Sequence, residues 1–121
     1  MPERSPEPEP TEEERALAQK VRVLAEQRWR DIEAGRWAEA YERFTPAAKA
    51  TLSLEDFRRA LDLPHRRFLG VGDVRCRADL CTVEALVELR LAIGRTGAHT
   101  VPVSRYERWR LVDGQLHVLA D

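Results

Sequence analysis

Arg105 and Glu107 stand two residues apart in a run of alternating character, so an extended strand would set both side chains on one face. A carboxylate in a cavity can act as a general base, and an adjacent guanidinium can steady an anionic intermediate. The same guanidinium also favours the ionised carboxylate, which suits holding a polar ligand better than moving a proton. Cys76 and Cys81 form the other candidate group. Their separation is too long for a CxxC redox motif, and two thiols alone make no zinc site. The histidines, His65, His99 and His117, lie on different elements without ligand-like spacing, so no metal site is expected. There is no glycine-rich phosphate loop and no nucleophile elbow. The sequence calls for no cofactor.

Helices come first along the chain. Thr11 followed by Glu14 is a capping box that opens a helix, with Leu17, Val21, Leu24, Ala25, Trp29 and Ile32 as its apolar stripe. Gly35 suits the left-handed residue that ends it. A second helix carries Trp37, Ala40, Tyr41 and Phe44 on one side. Thr45-Pro46 opens a short third helix, and Ser53 with Asp56 caps a fourth that carries Leu54, Phe57 and Leu61 and stops before Pro64.

Beyond Pro64 the period changes to two. Cys81, Val83, Ala85, Val87, Leu89, Leu91 and Ile93 alternate with mostly polar residues, as in a half-buried strand. Strands at about 66–77, 99–112 and 115–120 complete a meander, with Asp113-Gly114 as a two-residue hairpin turn. Helices followed by such strands predict an α+β domain, N-terminal helices on a curved four-stranded antiparallel sheet.

A trial register sets Cys76 opposite Cys81, Val74 opposite Val83, Gly72 opposite Ala85, Gly70 opposite Val87 and Phe68 opposite Leu89. The last turn sets Leu111 opposite Leu116, Trp109 opposite Val118 and Glu107 opposite Ala120. Arg105 and Glu107 then lie on the helix-facing side, above the small residues Gly70, Gly72 and Ala85. Two readings stand. One is an Arg105–Glu107 ion pair wetted at the sheet edge. The other is a pocket floor with Trp29, Tyr41 and Trp109 as the nearby aromatics.

Composition narrows the rest. With 20 basic against 21 acidic residues, the chain lacks the basic excess of a nucleic-acid binder. No apolar run approaches the roughly 20 residues of a membrane span. Residues 1–10 hold four of the seven prolines and three glutamates, so they read as a disordered leader before a domain at 11–121. The leader has no signal-peptide core, although such a stretch also follows a cleaved secretion signal. Opposed cysteines at a non-hydrogen-bonded antiparallel site are within disulfide reach, and a disulfide implies an oxidising compartment. The expected location is therefore periplasmic or otherwise extracytoplasmic, with the cytoplasm as the alternative.

The layout resembles the NTF2-like (cystatin-like) superfamily. The resemblance is carried by the Trp-x7-Trp-x3-Tyr-x2-Phe pattern (Trp29, Trp37, Tyr41, Phe44), by TPAAKATLSLEDFRRAL from Thr45 to Leu61, and by YERWRLVDGQLHV from Tyr106 to Val118. It implies a cone of helices against a curved sheet around an internal cavity. The superfamily holds isomerases, dehydratases and cyclases beside many non-catalytic domains. Its enzymes typically place an Asp or His, often with a Tyr, in the cavity, whereas Asp73, Tyr106 and His117 fall on the outward face here. The expectation is a non-catalytic domain that binds a partner protein or small molecule, with a homodimer through the sheet as its mode of self-association. The alternative is a small cavity enzyme using Glu107 and Arg105.

Overall fold

The computed structural model describes residues 8–63, 65–92 and 94–119. Most of the expected leader, together with Pro64, Ile93 and Ala120, lies outside them.

Side chains at the boundaries set the helices. Thr11 accepts from the Glu14 amide at 3.1 Å while its own amide donates to Glu14 Oε1 at 2.8 Å. This reciprocal cap opens α1, Glu12–Glu33, and Gly35 follows its end at φ +77°. Short helices α2 (Trp37–Glu42), α3 (Pro46–Thr51) and α4 (Leu54–Leu61) come next. Thr45 and Ser53 cap the last two, each accepting an amide proton at 3.1 Å. No helix among the described residues is long and apolar enough to cross a membrane.

The second half is a meander of β1 (Arg66–Arg77), β2 (Leu80–Ala92), β3 (Ala98–Val112) and β4 (Gln115–Val118), paired antiparallel in chain order. The fold is α+β, as the sequence predicts. Asp113 and Gly114 both take positive φ, 49° and 78°, which matches the twist of a tight hairpin. Leu111 faces Leu116 and Trp109 faces Val118 as expected, while the Glu107–Ala120 pairing falls outside the described residues.

The β1 register departs from expectation. Cys76 faces Cys81 and Val74 faces Val83, but Val71 then faces Ala85 and Gly70 faces Leu86. Further along, Phe68 faces Val87 and Arg66 faces Leu89. Each of two irregularities inserts one extra β1 residue, between Val71 and Val74 and between Phe68 and Gly70. The first flips the strand's parity and turns Val71 inward in place of Gly72; the second flips it back and returns Phe68 to the core.

The core lies between α1 and the sheet. Trp29 stacks on Phe68 with ring centroids 5.5 Å apart. Three polar contacts fix α1 along β1. Glu14 accepts the Ala78 amide at 2.8 Å, and Arg22 donates to the Val71 and Gly72 carbonyls at 3.2 and 2.8 Å. Glu33 takes Arg66 at 2.7 Å and the Phe68 amide at 3.2 Å. At the opposite edge, Phe44 bridges Val118 in parallel, so the α2–α3 junction covers β4. The Thr45 amide donates to the Val118 carbonyl at 3.0 Å, and the Val118 amide to the Arg43 carbonyl at 2.7 Å.

Cys76 and Cys81 form a disulfide across the β1–β2 hairpin, with Cα atoms 4.0 Å apart. The closed loop is short, so the chain-entropy contribution is about 2 kcal/mol. Reduction should lower the melting temperature by about 8 °C. Scanning calorimetry with and without a phosphine reductant checks this, and an unchanged transition would contradict it.

Candidate functional site

Glu107 and Trp109 are consecutive inward residues of β3, and both are buried. An unpaired carboxylate there would be costly, so a partner must come from the layer above. It comes from α1. Arg28 falls inside the apolar stripe, between the buried residues Ala25 and Trp29. Its Nη1 donates to Glu107 Oε2 at 2.6 Å, and the two side chains are only 3% and 7% exposed. Arg28 Nε donates to the Ala40 carbonyl at 3.1 Å, and Trp109 Nε1 donates to Glu107 Oε1 at 3.4 Å. The guanidinium also lies over the rings of Phe44 and Phe57, 4.8 and 5.3 Å from their centroids. Burial pulls the Arg28 pKa below its ordinary range; the Glu107 carboxylate opposes that shift, and Arg105 adds to it.

The expected Arg105–Glu107 ion pair is therefore replaced by Arg28–Glu107. Side chains two apart on one strand face stand about 6.6 Å from each other, while a facing helix can deliver a guanidinium end-on. Arg105 is exposed. Ala85 does face it, but Gly70 and Gly72 do not form a floor beneath it, because the β1 irregularities carry them out of that register. A Cβ on Gly72 would run into Glu84 instead.

Arg105 and Glu107 line a cavity of about 250 Å³ together with Arg28. Its apolar walls are Phe44, Phe57, Leu61 and Val118, from the α2–α3 junction, α4 and β4. The expected aromatics support this cavity from behind rather than lining it. Trp29 and Trp109 are fully buried, and the Tyr41 hydroxyl donates to the Leu52 carbonyl at 2.6 Å. Arg28 and Glu107 thus reach the same space, and Arg105 stands at its mouth. Arg28 is the residue that sequence reasoning missed; a charged residue in the middle of a helix's apolar stripe was the available signal.

The arrangement can hold charge. Arg28 Nη2 has no acceptor among the described residues, and the Arg105 guanidinium has neither a hydrogen bond nor an ion pair there. Two guanidiniums against one carboxylate leave a net positive site. Among the described residues no three His, Cys, Asp or Glu side chains gather closely enough for a metal.

On the outer face Glu84 clamps three strands. It accepts from the Asp73 amide at 3.1 Å, from Ser104 Oγ at 2.8 Å and from the Tyr106 hydroxyl at 3.4 Å. The Ser104 hydrogen bond, then the Asp73 amide, hold the Glu84 carboxyl below the ordinary carboxylate range. Backbone amides of Thr11 and Ala78 do the same for Glu14.

Comparison of the chain with protein-family models, curated proteins and solved structures finds no match.

Arg28→Met and Glu107→Leu each leave a buried charge unpaired and should each cost about 3–5 kcal/mol in urea unfolding. The double variant R28M/E107L should be more stable than either single one; additive losses would contradict the pairing. If a single variant fails to fold, a cooperative transition recovered in the double makes the same point. Carboxyls with lowered folded pKa values contribute stability above the ordinary value of 4.5 and lose it as pH falls through the lowered value. Glu84→Gln should therefore flatten the fall in melting temperature between about pH 5 and pH 2. An acid limb as steep as that of the unaltered chain would contradict it.

Proposed function

We propose that this chain is a non-catalytic NTF2-like domain that binds a small molecule in the cavity between α4, the α2–α3 junction and β3. The observation that carries this reading is the polar end of the cavity: Arg28 and Glu107 are buried at its base, and Arg105 at its mouth has no ion-pair partner among the described residues. A few convergent polar groups against aromatic and aliphatic walls are the usual make-up of a ligand pocket. Helices on one face of an antiparallel meander, with charged side chains turned into the space between them, support the superfamily reading.

The cavity-enzyme alternative has less support. It asks Glu107 to take a proton, yet one carboxylate oxygen is held by Arg28 and the other by the Trp109 indole. A periplasmic or otherwise extracytoplasmic setting is supported by the Cys76–Cys81 disulfide, since such bonds persist in oxidising compartments.

Amide chemical-shift mapping with a fragment panel of acids, amines and neutral compounds tests the cavity. Saturable shifts centred on Phe57, Leu61, Val118 and Leu119 are expected, and Ala60→Trp, which fills the space, should abolish them. Shifts confined to other surfaces, or none from any fragment, would overturn the reading.

A further inference from the structure

We infer that the molecule held in this cavity is a small organic anion with an apolar body, its acid group seated between Arg28 and Arg105. This rests on the cavity being a ligand site and specifies the chemistry of its occupant. Arg28 and Glu107 neutralise each other, so a pocket built around them alone would favour no charge. Arg105 breaks the balance. It belongs to the same inward row of β3 as Glu107, faces the buried Ala85 on β2, stays exposed itself, and lines the same cavity as Arg28. It stands close enough to Arg28 to depress that residue's proton affinity, so the two guanidiniums act on one region.

Donor geometry points the same way. Arg28 spends Nε on the Ala40 carbonyl and Nη1 on Glu107, which leaves Nη2 for the cavity. An acid group placed between this nitrogen and the Arg105 fork accepts charge-assisted hydrogen bonds from both. A cation would meet two positive groups with Glu107 already engaged, and a neutral molecule would leave Arg105 without a counter-charge. Apart from Tyr106, whose hydroxyl donates to Glu84 on the outer face, the remaining walls, Phe44, Phe57, Leu61 and Val118 among them, offer nothing polar from their side chains. They call for an apolar body, and they exclude a bare inorganic anion as the natural occupant. The volume, about 250 Å³, lies just below the roughly 300–1,000 Å³ of drug-sized pockets. That suits an acid of about ten non-hydrogen atoms, a size shared by short fatty acids and simple aromatic acids.

Four probes separate the possibilities in titrations followed by amide shifts at neutral pH: octanoate, octylammonium, octanol and inorganic sulfate. Octanoate should give saturable shifts at Leu61, Val118 and Leu119, with at least tenfold higher affinity than each of the other three. Arg105→Gln should weaken octanoate about tenfold, Arg105→Lys should restore part of that loss, and Arg110→Gln, an equal charge change on the outer face, should leave it unchanged. Octanol or octylammonium binding as tightly as octanoate would overturn the anion, while leaving the cavity as a ligand site. Sulfate binding as tightly would overturn the apolar body. Octanoate affinity unmoved by Arg105→Gln would overturn the seat. Failure of all four probes to reach the cavity residues, joined by failure of the wider fragment panel, would remove the site itself.

Discussion

A guanidinium and a carboxylate buried together between α1 and β3 each lose several kcal/mol of hydration, and neither can lie there without the other. Much of the surrounding arrangement satisfies that pair. Ala40 on α2 offers its carbonyl to Arg28, Trp109 offers its indole to Glu107, and Phe44 and Phe57 present ring faces to the guanidinium. Four elements and the α2–α3 junction therefore meet at one ionic contact. A buried ion pair adds little to stability over well-packed apolar residues, but it fixes which helix face meets which strand position.

The position of α1 follows from the same logic on a larger scale. Glu14, Arg22 and Glu33 pin it to the turn, the bulged middle and the start of β1 in succession. A helix held along β1 leaves the β3 side of the inner face to α4 and the α2–α3 junction. Those elements are short, and Arg105 stays exposed beside them. The cavity is the gap that remains, polar where α1 and β3 contribute and apolar where α4, the junction and β4 do.

Much of this was legible in the sequence. Caps at Thr11, Thr45 and Ser53, the Asp113-Gly114 turn and the alternation along β2 are local signals, and local chemistry decides them. The inward aspect of Glu107 follows from parity alone, as does the opposition of Cys76 and Cys81. The β1 register was not legible beyond Val74, since an extra residue in one strand leaves the hydrophobic pattern readable in two ways. Gly70, Gly72 and Asp73 mark the stretch without saying where each extra residue falls. The partner of Glu107 was hidden for a different reason. Arg28 lies 79 residues away in sequence, and only the helix-on-sheet packing brings it within 2.6 Å. Its place in the apolar stripe announced a buried charge, yet not which carboxylate it would meet. Trp29, Tyr41 and Trp109 illustrate the converse, large aromatics near a polar site that serve the core and the supports behind it.

The pairing of Arg28 can be observed directly in solution by guanidinium proton exchange, measured by nuclear magnetic resonance on arginine-labelled protein. A buried Arg28 bonded to Glu107 and to the Ala40 carbonyl should show a resolved Hε that exchanges slowly with water, while Arg105 exchanges at the rate of a free side chain. An Arg28 Hε that exchanges as fast as that of Arg105 would contradict the buried ion pair and, with it, the cavity built around it.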